Sequence, residues 1–129
     1  MLDVLIVEDD PTILETLSFL LRHEGWTVDA VSDGDQVMTL VRRKRPNVVL
    51  LDVMLPGMNG FDILKALRGD PDHGNTPVLI LTARGQSLDR QLAQDLKADD
   101  FVTKPFSNDV LLEKVRQLLE KRVANTGRG

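Results

Sequence analysis

The sequence predicts a doubly wound α/β domain: a five-stranded parallel sheet with helices on both faces. Three observations carry this expectation. Short Leu- and Val-rich runs of strand length alternate with amphipathic helical stretches. The connections between them are short, as consecutive strand–helix units of one parallel sheet require. The chain has 129 residues, 42% of them apolar and 28% charged, enough for one adequate core.

The first strand is expected at Leu2–Val7. Asp10-Pro11 reads as a helix cap followed by proline at the first helical position. Ile13, Leu14, Leu17, Leu20 and Leu21 then share one face until Gly25 stops the helix. Trp26–Val31 is the second strand, and Asp33 opens a second helix carrying Val37, Leu40 and Val41. The run Arg42-Arg43-Lys44-Arg45 complements the negative end of that helix; a nucleic-acid patch is the alternative reading. Val48–Leu51 forms the third strand, followed by a helix with Phe61, Ile63, Leu64 and Leu67. Val78–Leu81 is the fourth strand, and the spacing Leu88, Leu92, Leu96 predicts the fourth helix. A weaker fifth strand, Phe101–Thr103, precedes a helix capped by Ser107 with Val110, Leu111, Val115, Leu118 and Leu119 inward. The domain is expected to span residues 1–122, leaving 123–129, which ends Gly-Arg-Gly, as a frayed tail.

Composition narrows the function classes. A net charge of −4 argues against duplex DNA as a direct ligand of this domain. With no cysteine, neither a disulfide framework nor a thiolate metal site can form. The apolar runs Val4–Val7 and Val78–Leu81 are far short of the roughly 18 residues a membrane span needs. A strand starting at Leu2 leaves no room for a signal peptide, so the cytoplasm is the default location. His23 and His73 are expected to face solvent, and neither suggests a phosphorelay histidine. Trp26, the only tryptophan, has no aromatic companions for base stacking.

In open parallel sheets, ligands collect beyond the carboxyl ends of the strands. The first strand runs into Glu8-Asp9-Asp10, the third into Asp52, the fourth into Thr82-Ala83 and the fifth into Thr103-Lys104-Pro105. Each has a plain alternative: Asp10 as the helix cap, a strand-end acid as a turn residue, Lys104 as a surface lysine. Their convergence on one edge favours a site. Clustered carboxylates without His or Cys select a hard cation, and Mg²⁺ suits carboxylates plus phosphate oxygen. A carboxylate can act as nucleophile and form an acyl phosphate, with a lysine and a hydroxyl offsetting charge on the phosphoryl oxygens.

The segments "LIVEDD", "VVLLDVMLPGMNG", "VLILTA" and "ADDFVTKPF" resemble, in order and spacing, the response-regulator receiver domain of two-component signalling. The resemblance covers about residues 2–121 and implies the flavodoxin-like strand order 2-1-3-4-5. It implies that Asp52 is the phosphoacceptor, and that Glu8, Asp9, Asp52 and the Met54 backbone carbonyl hold Mg²⁺. It further implies that Thr82 contacts the phosphoryl group, that Lys104 is the family's invariant lysine, and that the Lys104-Pro105 bond is cis. Thr82 and Phe101 match the switch pair, and Met54 and Arg84 flank the path of attacking water. The implied partners are a sensor histidine kinase or histidine phosphotransfer protein, and a downstream protein binding the face of the fourth helix, fifth strand and fifth helix. The chain is alternatively the receiver half of a longer regulator, for example a DNA-binding one.

Two departures stand out. Lys97 occupies the position before "ADD" where relatives usually have Gly. Val110 stands where relatives joined to winged-helix domains usually carry an acid, whereas Arg90, Lys114, Asp99 and Asp100 fit that subfamily's dimer face, so a homodimer is possible. A haloacid-dehalogenase-type phosphatase also uses a strand-end Asp, but wants a second Asp where this chain has Met54. A flavodoxin-like electron carrier shares the topology, but the acidic first loop "EDDPTI" would repel a flavin phosphate. A receiver that signals without phosphate is a third alternative, against which stand the acidic pair, Thr82 and Lys104.

Overall fold

The computed structural model describes residues 2–53, 59–82, 91 and 94–126, with side chains as far as 122. Strands β1 (Val4–Val7), β2 (Val28–Val31), β3 (Val48–Asp52), β4 (Val78–Thr82) and β5 (Asp100–Thr103) form one parallel sheet in the order β2-β1-β3-β4-β5. The helices are α1 (Pro11–His23), α2 (Val37–Lys44), α3 (Gly60–Gly69) and α4 (Asn108–Thr126), the last corresponding to the predicted fifth helix. Of the predicted fourth helix, Gln91, Gln94 and Asp95 are helical and Leu96 is half-buried, while Leu88 and Leu92 lie outside the described residues.

The period-2 alternation of the strands divides the core in two. Leu5, Val7, Val49, Leu51, Val78 and Ile80 pack with Val37 and Val41 of α2 and Ile63, Leu64 and Leu67 of α3. Val4, Ile6, Val48, Leu50, Leu79, Leu81 and Val102 pack with Leu17 and Leu21 of α1 and with Leu111, Val115, Leu118 and Leu119 of α4. Burial on both faces explains why the central strands read as continuous apolar runs.

Several expectations are corrected. Strands β1 and β2 start two residues later than predicted, because the Asp3 carboxylate takes the Thr27 amide (2.8 Å) at their common edge. Asp33 caps a single 3₁₀ turn, Gly34–Gln36, which leads into α2. Val110 is 48% exposed, not inward. It stands about 100° round the helix from Leu111, outside the buried stripe. His73 is buried, not solvent-facing. The Asp70 carboxylate accepts from the amides of Asp72 (2.9 Å) and His73 (3.2 Å), folding the turn after α3 inward. His23 is exposed as expected, and α4 continues through Thr126, past the expected boundary at residue 122.

Candidate functional site

The sheet register assembles the site. Val7 pairs with Leu51, so one step further along the two strands brings Glu8 beside Asp52. Side chains alternate along a strand, so Glu8 continues the series Val4, Ile6 and Asp52 the series Val48, Leu50, on the same side of the sheet. On β5, Lys104 follows Val102 in the same alternation. Lys104 Nζ lies 2.8 Å from Glu8 Oε2 and 3.3 Å from Asp52 Oδ2. Glu8, Asp52 and Thr82 are all buried.

Burying two carboxylates beside one ammonium perturbs titration. Desolvation, reinforced by the hydrogen bond with Asp52, pushes the Glu8 carboxyl up to about 7 against the pull of Lys104. Burial pulls Lys104 down, but its hydrogen bond to Glu8 and the charges of Asp52 and Glu8 outweigh that and raise it above its ordinary value. A cation joining this cluster would relieve the carboxylate repulsion.

Glu8, Asp9 and Asp52 each offer a carboxylate oxygen, all within 4.8 Å of one another, with Asp9 exposed at the mouth. Three oxygen donors without thiol or imidazole suit a hard divalent cation. Asp10 separates from this set. Its Oδ1 caps α1 by accepting from Thr12 N (2.9 Å) and Ile13 N (3.3 Å), while its own amide donates to Glu8 Oε1 (3.2 Å).

Thr82 ends β4 opposite Thr103, and its carbonyl accepts from Lys104 N at 2.7 Å, joining the two strand ends. The Lys104-Pro105 bond is cis. Phe101 pairs with Ile80 and packs, half-buried, against the α2/α3 side of the core. Met54, Arg84 and Arg90 lie outside the described residues. Within the chain, Lys114 pairs with Asp100 (2.8 Å), and Asp99 pairs with Arg68 (2.9 Å) and Lys121 (3.4 Å).

Gly60 was not singled out in the sequence. A Cβ there would press into the Asp52 carbonyl oxygen and the Val53 Cα, so only glycine lets α3 start against the end of β3. Its amide donates to Val53 O (3.2 Å), and Asn59 caps the helix through Phe61 N (2.8 Å). The "NG" pair before an apolar helical run was the available signal.

The family model described as the response regulator receiver domain matches residues 4–116. The DNA-binding response regulator MtrA of Mycolicibacterium smegmatis is 43% identical over 118 residues, which are 92% of this chain and 50% of MtrA. The chain thus spans about half the length of the curated relatives it matches. The BeF3-activated N-terminal receiver domain of Klebsiella pneumoniae RstA superposes with a TM-score of 0.85 at 30% identity, covering 91% of this chain and 97% of that one. The receiver domain of a Pseudomonas aeruginosa sensor histidine kinase, solved with a magnesium ion coordinated in its active-site cleft, gives 0.84 at 27% identity, covering 92% and 98%. With the match running from the first strand into the last helix, the chain belongs to the response regulator receiver domain family of two-component signalling.

Proposed function

We propose that Asp52 accepts a phosphoryl group from the phosphohistidine of a sensor histidine kinase or a histidine phosphotransfer protein. The observation that carries this is the contact of Lys104 Nζ with both Glu8 and Asp52 at the carboxyl edge of the sheet. An Asp52 carboxylate oxygen attacks phosphorus and the P–N bond breaks, its electron pair staying on the imidazole nitrogen, which takes a proton from water. Lys104 holds the carboxylate before attack and faces the incoming phosphoryl oxygens after it. Thr82, buried at the neighbouring strand end, supplies a hydroxyl to the same group. Glu8, Asp9 and Asp52 would hold Mg²⁺, which when bound offsets charge on the phosphoryl oxygens. The Met54 backbone carbonyl completes the proposed ligand set from outside the described residues.

The output of this reaction is an altered protein-binding surface, reached through Thr82 and Phe101. The partial-length match to a DNA-binding regulator supports this domain's place as the receiver half of a longer protein whose DNA contacts are made elsewhere. Among the described residues no helix is long and apolar enough to cross a membrane, and we place the reaction in the cytoplasm. Incubation with acetyl phosphate and Mg²⁺ is expected to add one phosphoryl group by mass spectrometry, and none to Asp52→Asn. Equal labelling of that variant would overturn the assignment.

A further inference from the structure

Lys104 reaches Glu8 and Asp52 from the end of a four-residue strand that lies at the sheet edge and pairs on one side only. Its register rests on four ladder pairs with β4 and on Val102 and Phe101, packed on opposite faces of the sheet. At its far end stands a cluster of polar contacts that the proposed reaction does not use. The Asp99 amide donates to Val78 O (3.0 Å), while Asp99 Oδ2 accepts from Val78 N (2.8 Å), a two-point clasp between the starts of β4 and β5. Arg68, at the end of α3, donates to that same Oδ2 (2.9 Å). Its other donors reach the carbonyls of Lys97 (2.9 Å), Gly74 (3.2 Å) and Thr76 (2.7 Å). One planar guanidinium thus joins α3, the turn leading into β4 and the turn leading into β5, and its side chain is only 15% exposed.

We infer that Arg68 and Asp99 are positioning residues for phosphoryl acceptance, fixing the register of β5 and through it the reach of Lys104. The inference rests on the proposed role of Lys104. The two ends of the strand are held separately, by the Asp99–Val78 clasp at its start and by Lys104 N on Thr82 O at its end. Freeing the start leaves Val102 and Phe101 as the core anchors against slipping, and one residue of slip would move Lys104 by about 3.3 Å and turn it to the other face of the sheet, away from both carboxylates. The proposed carboxylate ligands of Mg²⁺ stand after β1 and on β3, so their geometry does not depend on the clasp.

The test is a double-variant cycle read by the rate of Asp52 phosphorylation from acetyl phosphate, at a temperature where circular dichroism shows every variant folded. Arg68→Gln is expected to slow phosphorylation about tenfold, Asp99→Asn similarly, and Arg68→Lys less, since lysine keeps the charge but loses the fork. Mg²⁺ affinity should rise rather than fall, because carboxylates that have not moved lose a competing ammonium. If Arg68 acts through Lys104, then Arg68→Gln added to Lys104→Ala costs no further rate; an additive loss would overturn the inference. Hydrogen exchange gives a readout that does not depend on phosphorylation: the Lys104 amide should lose protection in Arg68→Gln while the amides of Val4–Val7 keep theirs. Unchanged protection at Lys104 refutes the register argument, whereas a wild-type protein that takes no phosphoryl group refutes the proposed function instead.

Discussion

Glu8 carries the clearest electrostatic consequence of the site. Its carboxyl titrates near 7 when folded, against 4.5 for an ordinary glutamate. Between those values the folded chain holds a proton that the unfolded chain releases, so this group's contribution to stability falls as pH rises from 4.5 to about 7. The loss is expected to be on the order of 1–3 kcal/mol in metal-free protein, and smaller in Glu8→Gln. Urea titrations across that pH range measure it. Since a cation competes with the same proton, Mg²⁺ affinity should climb towards neutrality and flatten above it, which calorimetry follows directly. Two backbone positions give opposite expectations. Lys97 sits at φ 64°, a left-handed conformation that costs a side chain about 1 kcal/mol, so Lys97→Gly should raise stability by roughly 0.5 kcal/mol, read as a higher urea midpoint. Gly60→Ala should lower stability by about 1–3 kcal/mol and slow phosphorylation, because the new methyl displaces the backbone that carries Asp52.

At the scale of elements, the start of α1 separates two neighbouring acids that look alike in the sequence. Asp10 caps the helix and Asp9 faces the cluster. Asp10→Ala should therefore cost about 1 kcal/mol of stability with Mg²⁺ affinity nearly unchanged. Asp9→Ala should weaken Mg²⁺ binding and leave stability almost untouched, and calorimetry with thermal melts on both variants distinguishes the roles. The strands, and the carboxylates at their ends, were legible because a sheet buried on both faces writes itself as apolar runs that stop where polar residues must begin. Strand order was legible only through the family resemblance, which is also the source of the proposed site roles. Other features were hidden for local reasons. The early part of β2 was lost to a hydrogen bond that the Thr27 amide donates to the Asp3 carboxylate, the burial of His73 depends on the Asp70 turn, and Val110 is one helical step off the stripe. No periodicity encodes Arg68, whose partners are mostly backbone carbonyls, those of Gly74 and Thr76 in the turn after α3 and that of Lys97 before β5.

Across the whole molecule, the proposed signal must pass from a carboxylate cluster on the α1/α4 side of the sheet to an aromatic ring packed on the α2/α3 side. Thr82 and Phe101 belong to adjacent strands, with Phe101 paired to Ile80 two residues before Thr82. A phosphoryl group on Asp52 that draws the Thr82 hydroxyl inward would vacate space for the Phe101 ring. Phenylalanine has no hydroxyl, so the ring donates no hydrogen bond that would select either rotamer. Moving a two-state equilibrium from 1:99 to 99:1 takes about 5.5 kcal/mol of differential stabilisation. That is much to ask of one phosphoryl group with its metal when the reporting ring packs against an apolar core. The expected result is a partial shift, with some active-like conformer present before phosphorylation. NMR of the Phe101 ring and the Thr82 amide, with and without beryllofluoride and Mg²⁺, should show averaged shifts moving along a line between two end states. Changes confined to the residues around Asp52, with the Phe101 ring unmoved, would rule out this route across the sheet.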